Sequence, residues 1–318
     1  MARTYKSRDR RDATGVRVPR KMLSTALAVS TVAAFALVGL GFQAAGATTT
    51  AALYAWGDNA NGQIGNGTTT NALTPTQVPL PAGVNAVAGT TGNGHSVAIG
   101  SDNHLYTWGF NADGELGNGT TTNTTSPGAV NLPGGVTATA VSAGQFHNLA
   151  IGSDGFPYAW GYNGFGQVGD GTTTNALSPE KIGLAANVRA TAIAAGSYFS
   201  LAIGNNGFIY SWGDGQFGEL GNNSTLNHSN QVKPAMPTGV SGVAIAAGAN
   251  HGLAIGSDGN LYAWGHNANG QLGNNSTNDS LKPIVVSMPT GVTATAIAAG
   301  GNHSAGGQPQ DGVGTSRQ

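Results

Sequence analysis

The sequence predicts an all-β protein, a β-propeller built from repeats of four short strands, and three observations support this prediction. First, the five tryptophans of the 318-residue chain recur at a constant spacing of 52 residues. Second, each interval contains short apolar runs separated by glycine-rich turns, without the periodicity of amphipathic helices. Third, 52 glycines and 8% charged residues accompany 39% hydrophobic residues and a net charge of −1, a composition that supports many turns but argues against disorder.

The repeat has several fixed positions, and its five units align without insertion or deletion. A period near 50 residues is typical of propeller blades. We expect the tryptophans to fill the spaces between blades, and the histidines to be structural and hydrogen-bonded to backbone in a turn. The recurring residues are Trp56, Trp108, Trp160, Trp212 and Trp264, and then His95, His147, His251 and His303, with Phe199 at the histidine position of the third unit.

The sequence pattern of each unit predicts four strands in a fixed order. An aromatic strand comes first and is followed by a glycine-rich loop and a polar Thr/Asn loop. A short strand then follows a proline, two alanine-rich or aliphatic strands come next, and a tight turn leads into the next unit. Examples of these segments are residues 261–264, 267–273, 68–71, 75–78, 192–196, 201–204 and 257–260.

Residues 1–47 are predicted to direct export. They hold eight basic and two acidic residues, a charge of +6, and residues 23–42 are largely apolar before Ala45-Gly46-Ala47. Basic, apolar and small-residue regions in this order indicate a secretory signal peptide. A transmembrane anchor over residues 23–42 is the alternative, because 20 uncharged residues can span a bilayer. We therefore expect a secreted or cell-surface protein with a propeller over 48–305 and an unstructured tail over 306–318.

The repeat resembles that of the regulator of chromosome condensation family. Residues 53–304 carry the motifs W-G-x-N-x-x-G-Q-L-G and A-A-G-x-x-H several times. The resemblance implies a propeller, typically of seven blades. Family members include a guanine-nucleotide exchange factor on chromatin, a plant ultraviolet-B photoreceptor and a bacterial secreted β-lactamase inhibitor. Because function varies this widely on one scaffold, the resemblance leaves the activity open.

The chain departs from the family pattern in the number of units and in the last of them. After His303-Ser304 the expected Leu-Ala-Ile-Gly is replaced by Ala305-Gly306-Gly307, so we expect the last strand of the last blade to be missing. Three interpretations remain open: a five-bladed ring with imperfect closure, an open arc of a longer propeller, or a fragment from a disrupted reading frame. We favour five blades with uncertain closure. An open arc would expose strand edges and so predicts self-association.

The sequence predicts no catalytic residues, no cofactor and no metal site. The repeated histidines lie one per unit, and no H-x-x-x-H or H-E-x-x-H spacing occurs. Asp102, Asp154 and Asp258 lie in turns that follow a serine. The Asp113-Gly114-Glu115 segment lacks the frame of a calcium loop. The glycine-rich loops lack the Lys-Ser/Thr of a phosphate-binding loop.

The units differ most in their aromatic residues. All seven phenylalanines of residues 48–305 lie between positions 110 and 217. The positions two and five residues after each tryptophan lie on the same class of loop, so we expect their side chains on one face. Aromatic side chains are favoured anchors at protein interfaces. The alternative is that they fill gaps between blades. The predicted protein-binding patch comprises Phe110, Tyr162, Phe165 and Phe217, flanked by Phe146 and Tyr198.

Charge separates the remaining classes of function. Residues 48–305 carry four basic and 11 acidic residues, a charge of −7, whereas contact with nucleic-acid phosphates needs a basic surface. We therefore predict an exported, non-enzymatic bacterial propeller that binds an unknown protein partner in adhesion, in the envelope or as an inhibitor. It would bind no nucleic acid and would touch a membrane only through its N-terminal segment. The alternatives are guanine-nucleotide exchange by family analogy and an enzyme with a site in the central channel.

Overall fold

The computed structural model describes residues 52–307, which form antiparallel strands and one short 3-10 turn at Pro133–Gly135. The all-β prediction is confirmed. The predicted signal or anchor segment and residues 308–318 of the predicted tail lie outside the described residues. In chain order the strands are β1 (Tyr54–Gly57), β2 (Ala72–Gln77), β3 (Ala86–Thr91), β4 (His95–Gly100), β5 (Leu105–Gly109), β6 (Thr124–Val130), β7 (Ala138–Ala143), β8 (His147–Gly152), β9 (Pro157–Gly161), β10 (Ala176–Lys181), β11 (Ala190–Ala195), β12 (Phe199–Gly204), β13 (Ile209–Gly213), β14 (His228–Val232), β15 (Gly242–Ala247), β16 (His251–Gly256), β17 (Leu261–Gly265), β18 (Ser280–Val285), β19 (Ala296–Ala299) and β20 (Ser304–Gly307).

The strands form four four-stranded sheets with a two-stranded sheet at each end of the described chain. We call the four-stranded meanders blade 1 (β3–β6), blade 2 (β7–β10), blade 3 (β11–β14) and blade 4 (β15–β18). We call β1–β2 the N-terminal half-blade and β19–β20 the C-terminal half-blade. Each 52-residue unit counted from its tryptophan therefore provides the last two strands of one sheet and the first two strands of the next.

The core lies between successive blades, on their second and third strands. Every residue of β8 and β9 is buried, and the same holds for the corresponding pairs in the other three blades. The innermost strands are rich in alanine and pack against one another in the order β3, β7, β11, β15 and β19. Small side chains permit this close approach of neighbouring sheets, and the outer strands carry most of the polar residues.

A tryptophan–glycine contact joins each blade to the sheet before it. The indole Nε1 of Trp160 donates a hydrogen bond to the backbone oxygen of Glu115, at 3.0 Å. Gly117 lies against the same ring: a Cβ atom there would be 2.8 Å from Cδ1 of Trp160, and the backbone φ is +64°. A side chain at this position would clash and strain the backbone. Indole packing therefore explains the glycine at four of the five repeat positions, which are Gly65, Gly117, Gly169 and Gly221.

The end of the repeat array differs from the prediction in one respect. Residues 304–307 do form a strand, which pairs with β19 from Ala299↔Ser304 to Ala296↔Gly307. The expectation that this strand is missing was wrong, because backbone pairing does not require large side chains. The loss of Leu, Ala and Ile instead leaves all four residues exposed. The ring is not closed: within residues 52–307 no strand pairing joins the C-terminal half-blade to the N-terminal half-blade.

Candidate protein-interaction surface

One face of the arc carries two classes of loop. Because neighbouring strands are antiparallel, the loop between the first and second strands and the loop between the third and fourth strands lie at the same end of a blade. Backbone hydrogen bonds join the two classes: Tyr162 N donates to Phe146 O at 2.8 Å, and Asp214 N donates to Tyr198 O at 2.9 Å. Residues far apart in the sequence therefore meet on this face.

Five aromatic side chains on this face form one connected set, which we call the aromatic cluster: Phe110, Phe146, Tyr162, Phe165 and Tyr198. Each is half-buried. Edge-to-face and offset arrangements at such separations are favourable for aromatic rings. The ring centroids are separated by 6.3 Å for Phe110–Phe146, 6.0 Å for Phe146–Tyr198, 6.1 Å for Tyr162–Phe165, 6.0 Å for Tyr162–Tyr198 and 5.1 Å for Phe165–Tyr198.

Phe217, the sixth residue of the predicted patch, packs elsewhere. Its ring centroid lies 4.7 Å from that of His266, which is not one of the predicted patch residues. His266 occupies the fifth unit's position two after tryptophan, which is also the position of Phe110 and Tyr162. This shared position is the signal that could have identified His266. The structure thus brings together five of the six predicted residues and pairs the sixth with a histidine.

The loops that carry the aromatic residues are held by buried amides and carboxyl groups. The Oε1 atom of Gln167 accepts a hydrogen bond from Phe165 N at 3.0 Å, and Oε2 of Glu219 accepts one from Phe217 N at 2.8 Å. In the second unit, Oε2 of Glu115 accepts one from Asp113 N at 2.9 Å. The side chain seven residues after each tryptophan therefore fixes the backbone of the loop before it.

A buried asparagine fixes the rest of the same loop. Asn163 is fully buried, its Oδ1 accepts from Val168 N at 2.9 Å, and its Nδ2 donates to the backbone oxygens of Thr172 and Thr174. Asn59, Asn111 and Asn267 make the corresponding bonds in their own units. The fourth unit has Gly215 at this position. These bonds hold the loops in one conformation before any partner binds.

Two carboxyl groups, those of Asp113 and Asp214, act on Tyr198 of the aromatic cluster. Burial raises the pKa of Tyr198, and its neighbours Tyr162, Asp214 and Asp113 raise it further. Burial also raises the pKa of Glu115 and of Glu219 to about 7. Of these four carboxyl groups, that of Asp113 is half-buried, whereas those of Asp214, Glu115 and Glu219 are buried.

The repeated histidines contact side chains of the following blade. The expectation that they form hydrogen bonds to the backbone of a turn was wrong. The Nε2 atom of His95 lies 2.9 Å from Oδ1 of Asn148, and that of His147 lies 2.9 Å from Oγ of Ser200. Burial lowers the pKa of His95 and His251 to about 4 and that of His147 to about 3. No group of three or more His, Cys, Asp or Glu side chains that could hold a metal ion occurs within residues 52–307.

Two of the repeat residues depart from their buried counterparts. Trp56 is 64% exposed, whereas Trp108, Trp160, Trp212 and Trp264 are buried. His303 is also exposed. Both belong to half-blades, where part of the packing that covers the repeat position inside a full blade is absent from the described chain. Over residues 52–307 the structure contains no helix of the length and hydropathy needed to cross a membrane.

Comparisons with known proteins agree with this architecture. The chain is 31% identical to the Arabidopsis thaliana ultraviolet-B receptor UVR8 over 231 residues, 73% of this chain and 52% of the receptor. It is also 31% identical to the human E3 ubiquitin-protein ligase HERC2 over 294 residues, 91% of this chain and 6% of the ligase. The chain thus spans about half the length of the plant receptor and a small part of the human ligase.

Solved structures support the fold. The crystal structure of human WBSCR16 has a TM-score of 0.70 and 23% identity, over 80% of this chain and 67% of that one. Yeast RCC1 (Prp20) bound to Kap60 has a TM-score of 0.70 and 22% identity, over 82% of this chain and 63% of that one. The RCC1-like domain matches residues 16–306. The chain therefore belongs to the RCC1-like domain family.

Proposed function

We propose that this protein is an exported, non-enzymatic propeller that binds a protein partner through the aromatic cluster, in adhesion, in the envelope or as an inhibitor. The observation that carries the proposal is the connected set of five half-buried rings on one loop face. Aromatic residues combine a large apolar area with few rotatable bonds, and they dominate the binding energy of many protein interfaces.

The rigidity of the loops supports a role in binding. Asn163 and Gln167 fix the backbone around Phe165 from the buried side, so the ring is already placed when a partner arrives. Preorganised side chains lose little conformational entropy on binding, and this favours affinity.

The charge around the aromatic cluster suggests the chemistry of the partner. Asp113 and Asp214 lie close enough to Tyr198 to raise its pKa. Lysine and arginine pair with carboxylates and also stack on aromatic rings. We therefore expect the partner to present an apolar centre with a basic residue near Asp113. The charge of −7 over residues 48–305 disfavours nucleic acid as the partner.

Two solved structures of one relative support protein binding as the kind of activity, without indicating a specific partner for this chain. One structure is yeast RCC1 (Prp20) bound to Kap60. Another describes Prp20p of Saccharomyces cerevisiae and its binding properties to Gsp1p and histones, with a TM-score of 0.51 and 20% identity. Export is supported separately, by the basic, apolar and small-residue order of residues 1–47.

The test compares the wild-type chain with Phe165→Ala and Tyr198→Ala variants in capture experiments on envelope and culture-fluid extracts. A protein captured by the wild type is identified and purified, and its affinity for each variant is measured. We expect each substitution to weaken binding by roughly tenfold or more, as for an interface anchor. Phe208→Ala is the matched control, because Phe208 is an exposed phenylalanine outside the aromatic cluster.

Circular dichroism and thermal unfolding would establish that each variant is folded. Folded variants that retain wild-type affinity would contradict the proposal. If the alanine variants fail to fold, a Phe110→Ser variant is examined as well. Its failure to fold would show that the rings belong to the hydrophobic core instead. Turnover of a peptide or glycan library by the purified chain would contradict the non-enzymatic part.

A further inference from the structure

The N-terminal half-blade exposes side chains that every full blade buries. Tyr54 and Trp56 of β1 are 51% and 64% exposed, whereas their counterparts in β5, Tyr106 and Trp108, are 4% and 2% exposed. An exposed tryptophan beside an exposed tyrosine on a strand edge is a marked apolar surface.

Inside the arc, each tryptophan is covered by the sheet that precedes it. Trp108 Nε1 donates to the backbone oxygen of Gln63 at 2.9 Å, and a Cβ atom on Gly65 would lie 2.5 Å from that nitrogen. The same bond recurs in the three blades that follow, at 3.0, 2.8 and 2.7 Å. To be buried in the same way, Trp56 would need a residue whose backbone oxygen accepts the indole hydrogen bond and a glycine two positions after that residue.

The other end of the described chain presents this site. Gln271 and Gly273 are the next members of the series, and the nearest heavy atom to a Cβ on Gly273 belongs to Val286 rather than to an indole. A cleft of about 320 Å³ lies there, lined by Leu261, Val286 and Met288 among others. These three residues are the repeat counterparts of Leu53, Val78 and Leu80, which belong to or pack against the hydrophobic cluster that contains Trp108.

At the first junction one backbone oxygen accepts two hydrogen bonds, one from a serine hydroxyl and one from an indole. The serine bond is already formed at this cleft. Ser304 Oγ donates to the backbone oxygen of Gln271 at 2.7 Å, just as Ser96 Oγ donates to that of Gln63 at 2.8 Å. At Gln63 the same oxygen also accepts the indole of Trp108. Within residues 52–307, Gln271 O has no such indole donor. The cleft thus has the shape and the acceptor for the side chain that β1 exposes.

The strand edges are complementary as well. In each full blade the second strand pairs with the third, but within residues 52–307 β20 pairs with β19 alone and β1 pairs with β2 alone. Lysine and proline, which commonly protect a free edge, occur in neither β1 nor β20. Joining β20 to β1 would complete a sheet of four strands in the order β19, β20, β1 and β2.

We propose that the cleft at Gln271 and Gly273 binds β1 of a second copy of this chain, so that copies associate end to end through a composite blade. The register follows from blade 1, where Val97 lies opposite Thr107 and Ser96 opposite Trp108. Ser304 then lies opposite Trp56 of the second copy, and Ala305 lies opposite Ala55. Contacts of this kind, between different surfaces of identical chains, build rings or open arrays.

A second copy fits the structure better than the same chain does. Within residues 52–307 the two half-blades of one chain are not paired, and each junction between them is fixed by a tryptophan–carbonyl hydrogen bond of normal length. Pairing of β20 with β1 of the same chain would require a change in how successive blades pack at these junctions. Association of two copies leaves them unchanged.

Disulfide trapping in the full chain tests the partner and the register together, because the natural chain contains no cysteine. Ala55→Cys and Ala305→Cys proteins are prepared separately, mixed and oxidised. We expect a disulfide-linked dimer, since directly opposed residues of paired strands are close enough to be bridged. Leu73→Cys mixed with Ala305→Cys is the control, because Leu73 is 95% exposed but lies on β2, outside the predicted register.

The outcomes are distinct. Equal yields from the two mixtures would overturn the proposal. A chain carrying both Ala55→Cys and Ala305→Cys that forms only an internally bridged monomer, at every concentration, would show that the cleft closes on its own chain and would also overturn it. Bridged dimers and larger species from the same protein support the proposal.

Light scattering and fluorescence quenching provide an independent measurement. We expect the mass of the full chain to rise with concentration and the dissociation constant to increase roughly tenfold or more in Trp56→Ala. Trp56 is the one exposed tryptophan of the five, so its accessibility to iodide should fall as the mass rises. A monomer at all concentrations, or a Trp56→Ala variant that associates as the wild type does, would contradict the proposal. Phe208→Ala is the control variant.

Discussion

Trp56 and Trp160 occupy the same position of the same repeat, yet they lie in opposite environments. Trp160 is buried and donates to Glu115 O, whereas Trp56 is 64% exposed. The sequence around each is nearly the same, so the difference comes from the neighbouring unit and not from the residue's own unit. In repeat proteins, stability depends on the interfaces between units as much as on the units themselves.

The largest expected effect separates these two tryptophans directly. We expect Trp160→Ala to lower the free energy of unfolding by about 3–5 kcal/mol, because it leaves a cavity between two blades. Trp56→Ala should change it by less than about 0.5 kcal/mol in the dilute monomer, as for a surface substitution. Urea unfolding followed by circular dichroism measures both values. Equal losses would mean that Trp56 is buried in solution.

A smaller effect is expected for the asparagines that hold the loops. Asn163→Ala leaves Val168 N and two backbone oxygens without their partner, and should cost about 1–3 kcal/mol. Asn59 makes equivalent bonds in the N-terminal half-blade. We expect Asn59→Ala to lower global stability by less, because end elements open locally before the whole molecule unfolds.

Hydrogen exchange at the amides of Ile64 and Val168 would check this second prediction, since each amide donates to the asparagine of its own unit. Faster exchange at Ile64 than at Val168 in the wild-type chain would support the difference between half-blade and full blade. Equal protection at the two amides would contradict it.

A third expected effect concerns pH and the buried glutamates of the second and fourth units. The folded pKa of Glu115 and of Glu219 is raised to about 7 from an ordinary 4.5, so between these values the native state binds more protons than the unfolded state. Stability from each group is therefore present below pH 4.5 and is lost as the pH rises towards 7. The slope is at most about 1.4 kcal/mol per pH unit for each residue.

Glutamine occupies this position in the other three units, at Gln63, Gln167 and Gln271, which makes Glu115→Gln and Glu219→Gln conservative substitutions. The buried histidines act in the opposite direction, because their lowered pKa values make the fold less stable as the pH falls below 6.5. We expect the double glutamine variant to gain stability more steeply than the wild type between pH 5.5 and 6.5. Parallel curves from chemical unfolding would contradict the assignment.

Much of the fold could be predicted from the sequence because backbone pairing follows local patterns. The spacing of Trp108 and Trp160 predicts the repeat, and the glycine-rich turns between apolar runs predict the strands. The boundary of the sheets could not be read from the same pattern. A 52-residue period is unchanged wherever the unit is cut, so it does not reveal that each unit is divided between two sheets.

The interaction surface was predictable in its composition but not in its connectivity. Phe165 and Tyr198 could be placed on one face from their positions in the loops. The separation of Phe217, which packs on His266, depends on side-chain distances between blades that a one-dimensional pattern does not contain. The raised pKa of Glu115 likewise arises from burial, which becomes apparent only when the neighbouring sheet is in place.

The offset between the repeat and the sheet has a consequence for how this chain can change in length. Because a 52-residue unit supplies half of one blade and half of the next, removal of any 52 consecutive residues from the interior would fuse two half-sheets of matching sequence. Duplication of any such segment would insert one further complete blade. Recombination could therefore add or delete whole blades without a precise breakpoint, and each product would keep the same two terminal half-blades.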